Sequence, residues 1–181
     1  TRGEFHHPRT MDPALRAAVE EACTLGGTSI HSTGSSPGFI TEAVPLVLAS
    51  IQRRLEHLAI DEYADLSQRN SPGILFEVMG FGGPAGDFAD ARLAHVQSNF
   101  GPSLSALADA LGVSLDSVEA SGEVAVARHS VTIAAGTIEA GTVAAQRITV
   151  SGMKDGRELM RFRPTWYCTD DLDADWDLHS T

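Results

Sequence analysis

Apolar residues recur at the three-to-four-residue spacing of a helix in the first third of the chain. The first such stretch follows Asp12-Pro13, an N-cap with proline at the first helical position, and ends at Gly26-Gly27. A second helix is predicted after Ser36-Pro37, and Pro45 inside it should bend it because a backbone N–H is missing. The spacing is carried by Leu15, Ala18, Val19 and Ala22 in the first helix and by Phe39, Ile40, Val44, Leu48 and Ile51 in the second.

The later part of the chain favours strands. A third helix is predicted over residues 101–111, between Pro102 and Gly112, after a Gly- and Pro-rich loop at 70–90 with one helical turn near 73–78. Val, Ile, Thr and Ala then alternate with a partial period of two, which predicts antiparallel strands. Strands are predicted at 28–33, 57–63, 118–131, 138–151 and 157–163, with a hairpin turn at Asp155-Gly156. We therefore expect an α+β fold with a mixed, largely antiparallel open sheet and helices packed on one face.

Composition and charge exclude several classes of partner. A chain of 181 residues with 43% hydrophobic residues can bury a core. Its net charge of −11 argues against nucleic acid and against anionic membrane surfaces, since Lys and Arg mediate binding to both. Cys23 and Cys168 lie far apart and predict reduced thiols. No apolar run is long enough to span a membrane and no signal-peptide pattern is present, so we expect a soluble, cytoplasmic protein.

The turn Gly34-Ser35-Ser36-Pro37-Gly38 matches the G-x-S-x-G pattern of a serine-hydrolase nucleophile elbow. That elbow needs the backbone N–H of the residue after the nucleophile, and Pro37 has none, so we exclude a serine hydrolase. Two interpretations remain equally open. The helix N-terminus and its hydroxyls could bind a carboxylate or phosphate, or Ser36 could simply cap the helix.

Other motifs predict no cofactor or metal site in this chain. The glycines of residues 80–86 miss the G-x-G-x-x-G spacing, and Pro84 removes a donor from the position that would meet pyrophosphate, so we expect a mobile loop. His6 and His7 have no third ligand nearby and indicate an exposed segment or the end of an interdomain strand. Lys154 lies in a hairpin turn, and the acidic residues 170–177 predict a solvated tail.

A polar cluster follows the strand predicted at 57–63. The segment Asp61–Arg69 gathers three carboxylates, a phenol, a hydroxyl and a guanidinium, and is suited to amine binding or proton transfer. A polar exit from strand to loop is the alternative interpretation. If this segment and the Gly34–Gly38 turn face one cleft, they form a small-molecule site. His31, at a predicted strand end, is expected to be structural.

Several short motifs, spread from Asp12 to Trp166, occur in an order that resembles a known enzyme family. They are Thr33–Phe39, Glu62–Ser67, Gly80–Gly82 and Ala140–Arg147. Together they resemble the substrate-side domain of dihydrodipicolinate reductase-like and diaminopentanoate (amine) dehydrogenase-like NAD(P)-dependent oxidoreductases. Dihydrodipicolinate reductases proper carry a His-His-x-x-x-Lys run where this chain has Tyr63–Arg69, without histidine or lysine. The amine-dehydrogenase-like branch therefore fits better.

The resemblance implies a glyceraldehyde-3-phosphate dehydrogenase-like C-terminal domain. Residues 1–27 would end a nucleotide-binding domain that binds NAD or NADP outside this chain, 28–169 would form the substrate-binding and oligomerisation domain, and 170–181 an acidic tail. The substrate would be amino-acid-like, and this chain alone would not catalyse hydride transfer. The candidate catalytic residues are Glu62, Asp65 and Ser67, and the candidate substrate-binding residues are Thr33, Gly34, Ser35, Ser36, Gly38 and Arg69.

The late strands also predict self-association. Small and β-branched residues occupy both faces: Val124 and Val126 against Ala125 and Ala127, and Val143 and Ala145 against Ala144 and Ile148. One face can pack on helices, and the other then needs cover, so we expect a homo-oligomer joined through residues 118–163. The alternative to an oxidoreductase is a non-catalytic α+β ligand-binding or dimerisation module.

Overall fold

A computed structural model describes residues 3–86, 88 and 90–178. The helices are α1 (Pro13–Gly26), α2 (Val44–Ala49) and α3 (Asp90–Ala110), and the strands are β1 (Leu58–Asp65), β2 (Ser117–Val126), β3 (Val131–Ile133), β4 (Gly136–Ile138), β5 (Val143–Lys154) and β6 (Arg157–Tyr167). Wide helical turns span Ser35–Ala43 and Gly73–Met79, and two short 3₁₀ turns span Gly3–His6 and Pro8–Thr10. No helix in these residues is both long and apolar enough to cross a membrane.

The four long strands form a sheet in the order β1-β6-β5-β2. A turn at Asp155-Gly156, both with positive φ, joins β5 and β6 as an antiparallel hairpin. β2 is antiparallel to β5, because hydrogen bonds join residues 116 and 153 at one end and 127 and 142 at the other. Contacts between β1 and β6 join residues 57 and 158, 61 and 163, and 66 and 167, so these strands are parallel. The α+β fold with a mixed, largely antiparallel sheet is confirmed.

The chain divides into two compact units. The first contains residues 1–60, 95–119 and 150–162, and the second contains 61–94, 120–149 and 163–181.

In the first unit, α3 packs on the sheet. Phe100 of α3 packs against Phe162 with ring centroids 4.8 Å apart and the ring planes tilted by 41°. A Cβ at Gly152 would lie 2.8 Å from a methyl carbon of Leu115 and 3.3 Å from one of Leu104, so a larger residue there would force these leucine side chains to shift. The predicted helix start at Gly101 was wrong, since α3 begins at Asp90. Its buried stripe, Val96, Phe100, Leu104 and Leu107, runs through Pro102 without interruption, and this packing outweighs the hydrogen bond that proline removes.

In the second unit, the core combines large and small side chains. Leu75, Phe81, Ile138 and Leu172 are buried together with Ala125, Ala127, Val143, Ala144, Ala145 and Tyr167. Gln146, fully buried, donates from Nε2 to the carbonyl oxygen of Met79 at 2.6 Å. The small residues of the late strands are thus buried by other parts of this chain. An apolar sheet face that only a second subunit could cover, which was the physical reason for expecting a homo-oligomer, is therefore not needed to account for them.

One local prediction was wrong. Residues 28–33 form no strand, and Ile30 stays 58% exposed, because no described strand pairs with this segment. The helix predicted after Ser36-Pro37 is present, and its helical dihedral angles begin only after Gly38. Pro45 is the second residue of α2 and directly follows the wide helical turn Ser35–Ala43, so the bend predicted there stays a prediction.

The predicted solvated tail also packs, at least as far as Leu178, beyond which residues 179–181 lie outside the described part. Leu172 is 2% exposed and forms a β-bridge with Ala127. The backbone N–H of Asp173 donates to the carbonyl oxygen of Val126 at 3.0 Å, and the N–H of Val126 returns a bond to Asp173 Oδ1 at 2.9 Å. The acidic residues of this segment predict exposure to solvent, but Leu172, Trp176 and Leu178 lie among them and pack on the core. The burial of these three apolar side chains outweighs the tendency of the charged ones to keep the segment in water.

Glu158 joins β5 and β6 in the first unit. Its Oε2 accepts from Ser151 Oγ at 2.6 Å, and its Oε1 lies 3.1 Å from His57 Nε2. Burial raises the pKa of Glu158, but the bonds from Ser151 and His57 and the charges of Arg161 and His57 outweigh burial, so the pKa is lower than the usual 4.5.

Because this pKa is lowered by folding, Glu158 stabilises the fold above the unfolded pKa and loses this effect as pH falls through the folded pKa. We expect Glu158→Gln to lower the free energy of unfolding at pH 7 by about 0.5–1 kcal/mol. The difference from the unmodified chain should shrink as pH falls below 4.5. Urea denaturation at a series of pH values measures this. Glu123→Gln, at an exposed site on β2, is the control and should stay within about 0.5 kcal/mol. A Glu158→Gln deficit independent of pH would contradict the assignment.

Candidate functional site

A polar cavity of about 310 Å³ lies in the second unit, where β1 and β6 end. Because these strands are parallel, the residues that follow them leave the sheet at the same edge. Asp65 and Ser67 line the cavity from the β1 side, Tyr167 to Asp170 from the β6 side, and Leu178 from the C-terminal segment. Two of the three candidate catalytic residues, Asp65 and Ser67, therefore share one cavity.

Backbone hydrogen bonds fix this edge of the sheet. Leu66 N–H donates to the carbonyl oxygen of Tyr167 at 2.7 Å, and Cys168 N–H donates to that of Ala144 at 2.9 Å. Asp65 Oδ1 accepts the N–H of Ser67 at 2.8 Å, which forms an Asx turn at the cavity rim. Thr169 Oγ1 accepts the N–H of Asp171 at 3.1 Å on the other side. Two carboxylates, Asp65 and Asp170, and two hydroxyls thus border the cavity, an arrangement that suits a cationic ligand with N–H donors.

Two buried side chains also line the cavity. Cys168 is 2% exposed, and burial together with the negative charge of Asp65 raises the pKa of its thiol to about 12. Tyr167 is 5% exposed and belongs to the hydrophobic core of this unit, so its ring supports the cavity wall from beneath.

Glu62 does not join this cavity. Side chains alternate along β1, so Glu62 and Asp65, three residues apart, point to opposite faces of the sheet. Glu62 Oε1 accepts from Trp166 Nε1 at 3.4 Å. Asp61 Oδ1 accepts from Arg163 Nε at 2.7 Å, which ties β1 to β6. Arg69 is exposed in the turn after the strand, and its backbone N–H bonds to Leu66. The polar residues of the segment Asp61–Arg69 therefore do not form one cluster: they are divided between the two faces of the sheet and the turn that follows β1.

The other candidate segment, residues 33–38, lies in the first unit. Gly34 needs the absence of a side chain, because a Cβ there would lie 2.6 Å from the carbonyl oxygen of Pro37. Gly38, with φ 134°, adopts a conformation that favours glycine. Its N–H donates to Thr41 Oγ1 at 2.9 Å, and the N–H of Phe39 donates to Gly34 O at 2.8 Å. Two N–H groups of the proposed anion site therefore already have partners within the turn, and Thr41 serves as a cap.

Sequence reasoning missed a buried polar network beneath this turn. Thr41 Oγ1 lies 2.8 Å from Ser103 Oγ, and Ser103 Oγ donates to Glu42 Oε1 at 2.6 Å. The side chain of His6 is only 3% exposed, with Nδ1 3.1 Å from Glu42 Oε1. His7 Nε2 lies 3.0 Å from Asp109 Oδ2. The expectation that His6 and His7 lie on an exposed segment was wrong, because carboxylates far along the chain hold both. No local pattern signals such partners.

Residues 33–38 and 62–69 belong to different units, so whether they share a cleft stays a prediction. In the described residues, no group of three His, Cys, Asp or Glu side chains is arranged to hold a metal.

The loop at residues 80–86 does not fit a dinucleotide. Phe81 N–H donates to Leu75 O, Gly82 N–H to Val143 O and Gly83 N–H to Gly80 O, at 3.0, 2.8 and 3.3 Å. Pro84 forms a β-bridge with Thr142. The loop, expected to be mobile, is therefore pinned to the start of β5, and the N–H groups of Gly82 and Gly83 are bonded to backbone carbonyls rather than free for a pyrophosphate.

Comparison with known proteins finds two proteins that are named amine dehydrogenases. The chain is 30% identical over 151 residues to an amine dehydrogenase of Streptomyces virginiae, and this match covers 82% of the chain but 42% of that protein. The solved structure of an amine dehydrogenase from Mycobacterium smegmatis matches with a TM-score of 0.69 at 17% identity, over 92% of this chain and 50% of that one. No protein-family model matches. The chain is thus similar to amine dehydrogenases, shares their fold, and spans half or less of their length.

The raised pKa of Cys168 predicts an unreactive thiol. A rise from 9.0 to about 12 lowers the thiolate fraction at pH 8 roughly a thousandfold. We expect alkylation of Cys168 by iodoacetamide, followed by peptide mass spectrometry, to be at least about a hundredfold slower in the folded than in the unfolded chain. Asp65→Asn should speed it a few-fold, because the negative charge that disfavours the thiolate is gone.

Asp170→Asn is the matched control, since Asp170 lines the same cavity but does not contribute to the shift. Its rate should stay within about twofold of the unmodified chain. Equal acceleration by both substitutions would mean that the variants loosen the cavity rather than change its charge, and would contradict this account.

Proposed function

We propose that this chain is the substrate-binding and assembly part of an NAD(P)-dependent oxidoreductase that acts on the C–N bond of an amine. The observation that carries the proposal is the similarity to an amine dehydrogenase over 82% of the chain, together with a carboxylate-bordered cavity at the motif segment Glu62–Ser67. In this proposal, residues outside the chain bind NAD or NADP, and the nicotinamide accepts hydride. The protein is cytoplasmic in this proposal.

The cavity supplies what an amine needs from its binding site. Asp65 and Asp170 offset the charge of an ammonium group, while Ser67, Thr169 and Tyr167 offer hydroxyl oxygens to its N–H groups. An amine must be neutral before its carbon can lose hydride, so a base has to accept a proton from the ammonium. Asp65 is our candidate for that base in the cavity, and Glu62, on the opposite face, is the second candidate.

The same proposal includes a narrower class of substrate, one that carries a carboxylate as well as an amine. If the substrate is amino-acid-like, as in dihydrodipicolinate reductase-like enzymes, a carboxylate must be bound as well. Thr33, Gly34, Ser35, Ser36 and Gly38, together with Arg69, are the residues we propose for that role. In the cavity itself, a carboxylate would meet the repulsion of Asp65 and Asp170.

The protein expressed from its complete reading frame should reduce NAD⁺ or NADP⁺ when a primary amine is present. Asp65→Asn should lower kcat/KM roughly ten- to a hundredfold with little change in Tm, because a charge at the reacting group is lost. Asp61→Asn is the control, because it makes the same change on the same strand but breaks the 2.7 Å ion pair with Arg163, so it should lower Tm more than turnover. Glu62→Gln tests the second candidate in the same assay.

In a second arm of this test, calorimetry measures NADH and NADPH binding to residues 1–181 alone. We expect dissociation constants weaker than about 1 mM, since the N–H groups of Phe81, Gly82 and Gly83 in the glycine loop are already bonded to backbone carbonyls. Micromolar binding would contradict our placement of the nucleotide site. A complete protein without amine-dependent reduction of either nucleotide would overturn the oxidoreductase and favour the non-catalytic ligand-binding or dimerisation module.

Self-association through residues 118–163 remains a proposal. β2 is an edge strand of the four-stranded sheet, and its residues Ser117, Glu119, Ser121 and Glu123 are exposed, so an interface along this edge would be polar. We expect light scattering at tens of micromolar to detect a homo-oligomer that Glu123→Lys weakens. Val47→Asp, on the exposed apolar part of α2, is the comparison. A monomer, or an oligomer that only Val47→Asp disrupts, would refute assembly through the sheet.

A further inference from the structure

The wall of the cavity in the second unit is chemically uneven. The last residues of β1 and β6 and the residues just after them supply two carboxylates, two hydroxyls, a phenol and a thiol, whereas Leu178 supplies an aliphatic side chain. Leu178 also packs against the core of this unit. A ligand whose ammonium lies at Asp65 and Asp170 therefore meets an aliphatic side chain where Leu178 lines the cavity.

Residues 170–178, which we name the strap, bring Leu178 to this position. Asp170 at its start and Leu178 at its end both line the cavity, so the strap leaves the cavity wall and returns to it. Its middle is anchored to the segment after β2. Arg128 N–H donates to Asp171 O at 2.9 Å, and Leu172 forms a β-bridge with Ala127.

Trp176 anchors the returning half of the strap. The guanidinium carbon of Arg147 lies 4.3 Å from the centroid of the Trp176 ring, within the range of a cation–π contact. Arg147 is itself held from β6, since its Nε donates to Thr165 Oγ1 at 3.2 Å. Trp176 is two residues before Leu178, so this stacking fixes the part of the strap that presents Leu178.

We propose that Leu178 determines which amines the cavity accepts, by contact with their hydrocarbon part, and that Trp176 positions it. The inference rests on the proposed function only in taking the ligand to be an amine. It identifies Leu178 as a specificity-determining residue and Trp176 as a positioning residue, neither of which takes part in proton transfer.

The test measures binding of ethyl-, butyl- and hexylammonium chloride to the chain by calorimetry, without nucleotide or turnover. In the unmodified chain, affinity should rise with chain length until the cavity is filled, by up to about fourfold for each methylene group buried. Leu178→Ala should lower affinity for butylammonium about three- to tenfold and move the preference toward hexylammonium, because truncation leaves room for a longer chain. Leu178→Phe should move the preference toward ethylammonium.

Matched variants separate specificity from a general structural effect. Leu25→Ala truncates an exposed leucine of the first unit and should change nothing. Trp176→Ala should reproduce the changed preference of Leu178→Ala, and Trp176→Phe, which keeps a ring over Arg147, should restore it. If Leu178→Ala does not fold, Leu178→Met, a conservative change of similar volume, takes its place, and its preference among the three amines is measured in the same way.

The outcomes distinguish this inference from the function on which it rests. Asp65→Asn should weaken all three amines equally without changing their order. If Asp65→Asn weakens binding but Leu178→Ala leaves the order unchanged, the amine cavity stands and the role of Leu178 is refuted. If no amine binds the unmodified chain, the inference fails, while amine-dependent turnover by the complete protein decides the oxidoreductase separately.

Discussion

β1 and β6 run parallel, and the cavity of the second unit depends on this pairing. Parallel neighbours release their chains at the same edge of a sheet, so the residues after Asp65 and those after Tyr167 meet although they are far apart in sequence. The bond from Leu66 N–H to Tyr167 O, at 2.7 Å, closes this edge. If β1 and β6 were antiparallel, their C-terminal ends would leave the sheet at opposite edges. The polar residues after each strand would then lie far apart and would not form one cavity.

The sequence predicts one side of this cavity and not the other. Polar residues after a predicted strand are visible as a cluster, and Asp65 and Ser67 are found in this way. Side chains alternate between the two faces of a strand, so Glu62 and Asp65, three residues apart, point to opposite faces. Their closeness in sequence makes them look like one cluster and conceals this separation. Tyr167 and Cys168 have no local signal, since only strand pairing brings them beside Asp65. Leu178 is hidden for another reason, because its acidic neighbours predict solvent exposure.

Where local signals failed, tertiary packing decided the structure. Pro102 is typical of a helix start, yet α3 runs through it because the buried stripe from Val96 to Leu107 continues on both sides. Burial of an apolar side chain stabilises by about 1.5–3 kcal/mol, so several such residues outweigh one lost hydrogen bond. For residues 28–33 the reverse holds, since apolar residues such as Ile30 find no partner strand among the described residues. The general α+β class survives such errors because it depends on many strands at once.

One charge couples the ligand side of the cavity to its buried side. Asp65 borders the cavity and also raises the pKa of the Cys168 thiol. A cation bound beside Asp65 offsets that charge for the thiol, so ligand binding and thiolate formation favour each other. A carboxylate entering the same space would add to the repulsion from Asp65 and Asp170 and would disfavour the thiolate further. Under the proposed function, the electrostatics of this unit therefore favour amines without an adjacent carboxylate. The carboxylate of an amino-acid-like substrate would need a positive charge or several N–H donors outside this cavity. Whether Arg69 or the turn at residues 33–38 supplies them therefore decides whether such a substrate is possible.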